Sequence, residues 1–202
     1  LAYDKKNENL DYYRSIILKV KPNIKKELCE AAILKIKNED FDLAEEIFLA
    51  LKGLDPEDVA ITLNMALFLD QRADSFRNAG LIEEADAYDS DALGYYTESM
   101  EADSPLANAF FNAGFYYMKQ HKYRDAKDVF ETYIALTCDL NDEDLGENGV
   151  YKKERAQEIV NNITNQKIDD EAFVRAYDLI SKGDEEKGIE ETYLFGTDAL
   201  GR

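Results

Sequence analysis

"ANAFFNAGFYYMKQHKYRDAKDVFETYIAL", residues 107–136, places Ala113 and Gly114 in the middle of an otherwise aromatic stretch. A glycine inside a helix destabilises it by roughly 1 kcal/mol relative to alanine. A bulky apolar residue at either position would also bury more surface. The two small residues therefore require an explanation, and the close approach of a second helix supplies one.

The apolar residues of this stretch recur at the spacing of one helix face, in two segments joined by "KQHKY". In each segment, large side chains flank one small position. The small positions let two antiparallel helices approach, and the neighbouring rings fill the space beside the crossing. The stretch therefore predicts a tight helix hairpin. Its inner face is formed by Phe110, Ala113, Gly114, Tyr117, Tyr123, Ala126, Phe130 and Tyr133.

This pattern resembles the tetratricopeptide repeat, a helix–turn–helix unit of 34 residues with large, small and aromatic positions in a fixed order. Pro22 and Pro56 are 34 residues apart and enclose a second unit of the same kind. Lys35 departs from the pattern in this unit, because the family usually has an aromatic residue there. The residues of this unit that match are Leu28, Ala31, Ala32, Phe41, Ala44 and Phe48.

The unit that follows Pro56 is longer than the family's repeat. Pro105 comes 49 residues after Pro56, and the turn of this unit is the "NAG" of residues 78–80. The extra length divides between the two arms as about two helical turns each. Equal lengthening keeps antiparallel arms in register. The sequence therefore predicts two long helices, over about 58–77 and 81–102, whose tip projects beyond the other hairpins.

The repeat pattern lapses after residue 138. "DLNDEDLGENG", residues 139–149, is acidic and contains glycine, so it predicts a loop. A helix is expected over about 151–166, and residues 169–202 return to the repeat in degenerate form. The residues at helical spacing in the expected helix are Ala156, Ile159, Val160 and Ile163.

The resemblance implies an all-α fold, a right-handed superhelical array of antiparallel helix–turn–helix hairpins of the tetratricopeptide type. Terminal repeats normally need a capping helix, and none is visible after "TDALGR", so we expect the full-length protein to continue. The predicted single domain comprises a partial repeat (1–24), a repeat (25–58), an elongated repeat (59–106), a repeat (107–138), an acidic loop with an extra helix (139–168) and a degenerate repeat (169–202).

The composition is that of a foldable, strongly acidic chain, with 45% hydrophobic residues and a net charge of −19. This charge argues against a nucleic-acid partner, because phosphate binding needs clusters of lysine and arginine. No apolar run reaches the length of a membrane span, so no membrane insertion is expected. No signal peptide is visible, which favours a cytoplasmic protein. A periplasmic or secreted location stays open, because the chain begins with Leu1 and not with methionine.

The sequence contains no pattern typical of a catalytic, metal or cofactor site. His121, the single histidine, lies in a predicted turn without a second ligand or nucleophile nearby. The acidic loop lacks the glycine and glutamate that a calcium loop needs at its sixth and twelfth positions, where Asp144 and Val150 stand. Phosphate-binding and hydrolase motifs are absent. We therefore expect a protein that is not an enzyme and holds no cofactor, with Cys29 and Cys138 as free thiols.

In the tetratricopeptide family, the first helix of each unit lines a concave groove that binds an extended peptide or a partner helix. Family members that bind acidic chaperone tails carry lysine and asparagine in this groove, and this chain has apolar residues there instead. By this resemblance, the partner-binding groove is predicted to comprise Cys29, Ile33, Ile36, Leu63, Leu67, Phe111, Phe115 and Met118.

The leading functional hypothesis is a non-catalytic scaffold that binds a protein or peptide, with a basic amphipathic helix as the partner that suits an apolar groove in an acidic chain. One alternative is self-association, with the groove pairing two copies in a homodimer. Another is a carrier that holds an apolar small ligand between Phe111, Phe115 and Tyr117. If the chain's own helices, such as 151–166, cover the groove, the acidic tip of the long hairpin becomes the expected docking element.

Overall fold

The computed structural model describes residues 6–141, 143–146 and 148–165, and within these ranges it contains only helices. The all-α prediction is therefore confirmed for this part of the chain. The degenerate repeat expected at 169–202 lies outside the described residues. The helices are α1 (Leu10–Val20), α2 (Ile24–Lys37), α3 (Phe41–Leu54), α4 (Val59–Asn78), α5 (Ile82–Met100), α6 (Ala107–Lys119), α7 (Tyr123–Thr137) and α8 (Gly149–Asn165).

The chain divides into two compact units, Leu1–Ala109 and Phe110–Arg202, and the boundary falls in the first turn of α6. In the first unit, α2 packs against α3, α3 against α4, and α4 against α5. In the second unit, aromatic rings join α6 to α7, and α7 packs against α8. From α2 to α5, and from α6 to α8, helices that follow one another in the sequence thus contact one another in space.

The two long helices are confirmed. The bounds of α4 and α5 lie within two residues of the predicted ones, and the two helices have 20 and 19 residues. Asp58 begins α4 as its N-cap, because its carboxylate accepts hydrogen bonds from the N–H groups of Ala60 and Ile61 at 3.0 and 3.3 Å. At the other end Gly80, with φ of 78°, turns the chain into α5.

Three hairpins of the chain are closed by the same three-residue turn, at residues 38–40, 79–81 and 120–122. In each turn the middle residue has positive φ, which lets the next N–H reach back to a carbonyl in the last helical turn. These middle residues, Glu39, Gly80 and His121, are 41 residues apart in both intervals. The hydrogen bonds run from Asp40 to Lys35 (3.0 Å), from Leu81 to Phe76 (3.0 Å) and from Lys122 to Tyr117 (2.9 Å).

The equal 41-residue intervals match the extra length of the two long helices. Each interval contains one long helix and exceeds the 34-residue repeat by about seven residues, which is close to two helical turns. The small buried residues of the long arms follow the same step: Ala66 and Ala73 on α4, and Ala85 and Ala92 on α5, are all 0% exposed. A step of seven residues keeps them on one face of each helix.

The packing of α6 on α7 explains the small residues Ala113 and Gly114. A Cβ atom placed on Gly114 would lie 2.5 Å from Cζ of Phe130, closer than real side chains approach. Ala113, Ala126 and Phe130 are fully buried around this contact. The prediction that a close helix approach requires the glycine is confirmed.

Candidate functional site

The structure places the predicted groove residues of the first unit in three different environments. Ile33 on α2 and Leu67 on α4 are exposed, with 51% and 37% of their surface accessible. Cys29 and Ile36 are half-buried, and burial raises the pKa of the Cys29 thiol. Leu63 is only 6% exposed, because it belongs to the buried side of α4. The expectation that Leu63 is open to a partner is therefore wrong.

In the second unit, Phe115 is exposed and Met118 is half-buried, but Phe111 is only 8% exposed. The Phe111 ring packs 5.0 Å from the ring of Tyr133 on α7, and the ammonium group of Lys152 on α8 lies 5.9 Å from its centre. The expectation of an open Phe111 is wrong, since the hairpin and the extra helix both contact this ring. A charge at Phe111 would consequently test folding and not partner binding.

The extra helix predicted over 151–166 is confirmed as α8, which packs against α7. The residues expected on its packing face, Ala156, Ile159, Val160 and Ile163, are all buried. At Phe111, the chain's own helix α8 therefore helps to cover the predicted groove, as one of the alternatives expected. The exposed apolar surface of the first unit becomes the stronger candidate for binding.

A further exposed apolar surface lies on α1, the helix of the predicted partial repeat. No residue of α1 is buried. We use the name α1 face for Tyr12, Tyr13, Ile16 and Val20, which are all exposed. Three of them follow one another at four-residue steps, a spacing that would have revealed the stripe.

The region around α5 has the opposite character, because it is strongly acidic. From residue 78 to residue 118 the chain contains eight aspartates and glutamates and no lysine or arginine. Leu81 and Ile82, at the start of α5, are exposed beside this charge. We use the name acidic tip for the exposed residues Leu81, Ile82, Glu83, Glu84 and Asp86.

A half-buried cation joins three helices at the long hairpin. The guanidinium of Arg72 on α4 lies 5.4, 5.2 and 5.4 Å from the ring centres of Phe41, Phe76 and Tyr88. It donates a hydrogen bond to Asp42 on α3 at 2.5 Å. Burial lowers the pKa of Arg72, but its hydrogen bonds with Tyr88 and Asp42 outweigh burial and raise it, so the group stays charged.

Beside Arg72 lies an open cavity of about 290 Å³, at the turn between α2 and α3. Three acidic side chains surround the cation there, and one of them, Asp42, already binds it. Arg72 thus links α4 to α3 and α5, and these contacts explain why its side chain is largely covered. The cavity is lined by Glu39, Asp40, Phe41, Asp42, Arg72, Ser75 and Phe76.

Two lysines connect the helix ends of the first unit. Lys25 on α2 donates hydrogen bonds to Asp55 and Asp58 at 2.8 and 2.7 Å, which raise its pKa above the ordinary value. Burial would raise the pKa of Asp58, yet the hydrogen bonds from Lys25 and the Ile61 N–H hold it below the usual range. Lys52 on α3 bonds Thr62 on α4 at 2.6 Å and Glu98 on α5 at 2.5 Å.

The off-pattern Lys35 also has a structural explanation. Its ammonium lies 2.9 Å from the carboxylate of Asp40, across the turn that follows α2. An aromatic ring at this position could not make that ion pair. Lys35, which departs from the repeat pattern, thus stabilises the turn through this ion pair.

Among the described residues, no group of three His, Cys, Asp or Glu side chains converges as metal ligands would. His121 lies in the turn before α7, with Nδ1 3.0 Å from the hydroxyl of Tyr123. None of the described helices combines the length and the apolar composition needed to cross a bilayer.

Two comparisons with known proteins found no relative of this chain. No protein-family model matches the chain. A search of curated proteins likewise found no match. The resemblance to the tetratricopeptide repeat therefore stays a prediction, carried by the residue pattern of the hairpins.

Proposed function

We propose that this protein is a non-catalytic scaffold of the tetratricopeptide type, which binds another protein or a peptide through the first helices of its hairpins. The observation that carries the proposal is the exposure of Ile33 and Leu67, two apolar residues at predicted groove positions on α2 and α4. Apolar side chains that stay exposed together on a folded protein commonly mark a contact surface.

The ends of the two helices support a shared surface. Lys25 near the start of α2 bonds Asp58, the N-cap of α4, so these two helix starts lie side by side. Ile33 and Leu67 each follow that junction by about two helical turns, or roughly 12 Å along the helix.

The charge of the chain specifies the chemistry of the partner. With a net charge of −19, the protein repels acidic peptides and attracts basic ones. The groove positions also lack the lysine and asparagine that hold acidic tails in the chaperone-binding members of the family. An amphipathic helix with an apolar stripe and a basic polar face fits both properties.

The carrier alternative finds less support. The Phe111 and Phe115 rings, which would wall an apolar pocket, lie 5.1 Å apart, and Phe115 lies 5.3 Å from Phe130. The Phe111 ring is thus packed within the hairpin, and Phe115 contacts the same group of aromatic rings. We therefore propose the scaffold and not the carrier.

The test measures binding of a designed helical peptide with leucines on one face and lysines on the other. Fluorescence anisotropy would compare the wild type with the Ile33→Glu/Leu67→Glu double variant. A matched control is Leu43→Glu on α3, which is as exposed as Leu67 but lies outside the predicted groove. We expect the control to bind like the wild type and the double variant to bind at least about tenfold more weakly. Equal binding by all three proteins would rule out this surface.

A further inference from the structure

Two stretches of the chain carry opposite charges. Residues 10–37, which form α1 and α2, contain seven lysines and arginines and three acidic residues. Residues 78–118 contain eight acidic residues and no lysine or arginine. A protein with net charge −19 thus keeps a basic region at one place and concentrates its negative charge elsewhere. Opposite surfaces of this kind attract each other across copies.

The basic region includes a helix face without a partner among the described residues. Along the α1 face, Val20 is 74% exposed and Tyr12 is 63% exposed. Lys19 and Lys21 lie beside Val20 and are exposed as well. A stripe of this kind normally packs against another element, because apolar surface left in water costs free energy.

The acidic tip has the complementary chemistry. Leu81 and Ile82 expose 45% and 51% of their surface, and three acidic residues follow them within four positions. The tip therefore offers apolar side chains for the stripe of α1 and carboxylates for Lys19 and Lys21. The two surfaces are therefore complementary, with apolar residues facing apolar residues and carboxylates facing lysines.

The α1 face and the acidic tip of one copy are held at opposite ends of α3. Arg14 on α1 donates a hydrogen bond to the carbonyl of Gly53, at the end of α3, at 2.9 Å. Arg72, on the part of α4 that leads to the tip, binds Asp42 at the start of α3. These two anchor points are about 16 Å apart along the helix, and the tip lies beyond the second. One copy cannot place its own tip on its own α1.

We propose that a second copy of this chain occupies the α1 face, with its acidic tip. Leu81 and Ile82 of one copy pack on Tyr12, Ile16 and Val20 of the next, and the tip carboxylates face Lys19 and Lys21. The two surfaces in contact are different, so the association is head-to-tail and leaves one free surface of each kind at the ends. Such contacts can add further copies.

The test is light scattering across about a hundredfold range of protein concentration, at low and high salt. For the wild type, we expect the mass to rise above the monomer's 23.1 kDa with concentration, and to fall again when salt is added. Two variants, Ile16→Glu on the α1 face and Glu83→Lys/Glu84→Lys on the tip, should each remain monomeric. A control, Asp128→Lys/Glu154→Lys, changes the net charge equally at exposed positions of α7 and α8 and should associate like the wild type.

Mixing the two monomeric variants decides between head-to-tail pairing and symmetric pairing. The Ile16→Glu copy keeps an intact tip, and the tip variant keeps an intact α1 face. Their mixture should form a pair of about twice the monomer mass that cannot grow further. A monomeric wild type at every concentration would overturn the proposal, as would a tip variant that associates like the wild type or a mixture that stays monomeric. The groove residues Ile33 and Leu67 are unchanged in all these variants, so the outcome is independent of the scaffold proposal.

Discussion

The α4–α5 hairpin and the α6–α7 hairpin are closed by the same turn but are held together by different means. The long hairpin uses small residues at two levels in each arm and places a charged Arg72 among aromatic rings. The short hairpin instead packs aromatic rings around the close approach of Gly114 to Phe130. The added length is thus accompanied by a repeat of the small-residue step, and the charged Arg72 links the long hairpin to α3.

The largest expected effect comes from filling the small position of the short hairpin. Gly114→Leu places a side chain where even a Cβ meets the ring of Phe130. The free energy of unfolding should fall by about 1–3 kcal/mol or more, through overpacking. Urea denaturation followed by circular dichroism measures this change. A variant as stable as the wild type would show that the glycine is not needed for the helix approach.

The second prediction concerns Arg72, which links α4 of the long hairpin to α3. Arg72→Met keeps much of the apolar stem but removes the ion pair with Asp42 and the cation–ring contacts. We expect a loss of about 2 kcal/mol in unfolding free energy, because the cation is largely desolvated. Arg155→Met is the matched control, since Arg155 forms only an exposed ion pair with Glu158, and it should change stability by less than about 0.5 kcal/mol. Equal effects of both substitutions would show that the aromatic surroundings of Arg72 add nothing.

A smaller effect concerns the start of the long hairpin. Asp58→Ala removes the N-cap of α4 and one partner of Lys25, and should cost about 1 kcal/mol near neutral pH. The folded protein holds the pKa of Asp58 below its ordinary value of 3.8. Its stabilising contribution is therefore present above that value and is lost as the pH falls through the folded pKa.

The pH dependence provides the measurement for this prediction. Thermal unfolding of the wild type and of Asp58→Ala should differ most at neutral pH and converge as the solution becomes more acidic than the ordinary aspartate pKa. Asp11→Ala is a suitable control, because Asp11 is 95% exposed and forms a surface pair with Arg14. A difference that stays constant down to strongly acidic pH would contradict the role assigned to the Asp58 carboxylate.

The smallest effect has the opposite sign and sharpens the contrast between the two hairpins. Gly94 on α5 faces open space, with no atom within 4 Å of an added Cβ. Gly94→Ala should therefore stabilise the protein by up to about 1 kcal/mol through helix propensity. The melting temperature measures the gain. A loss of stability would mean that this glycine, like Gly114, serves a contact.

The sequence by itself determined the helices, their turns and the equal lengthening of two arms. These features depend on local spacing, on glycine and on proline, which act within a few residues along the chain. The predicted inner face of the short hairpin is confirmed only in part. Its small residues are buried together with Phe130 and Tyr133, whereas Phe110, Tyr117 and Tyr123 are half-buried.

Only the tertiary structure decided which of the predicted groove residues remain open. Phe111 and Phe115 carry the same side chain four residues apart, yet Phe111 is buried by Tyr133 and the extra helix while Phe115 stays exposed. The Arg72 cluster likewise joins residues of α3, α4 and α5 that no local spacing connects. Burial and ion pairing depend on which helices meet across the fold, and a periodic pattern reports only the face of one helix.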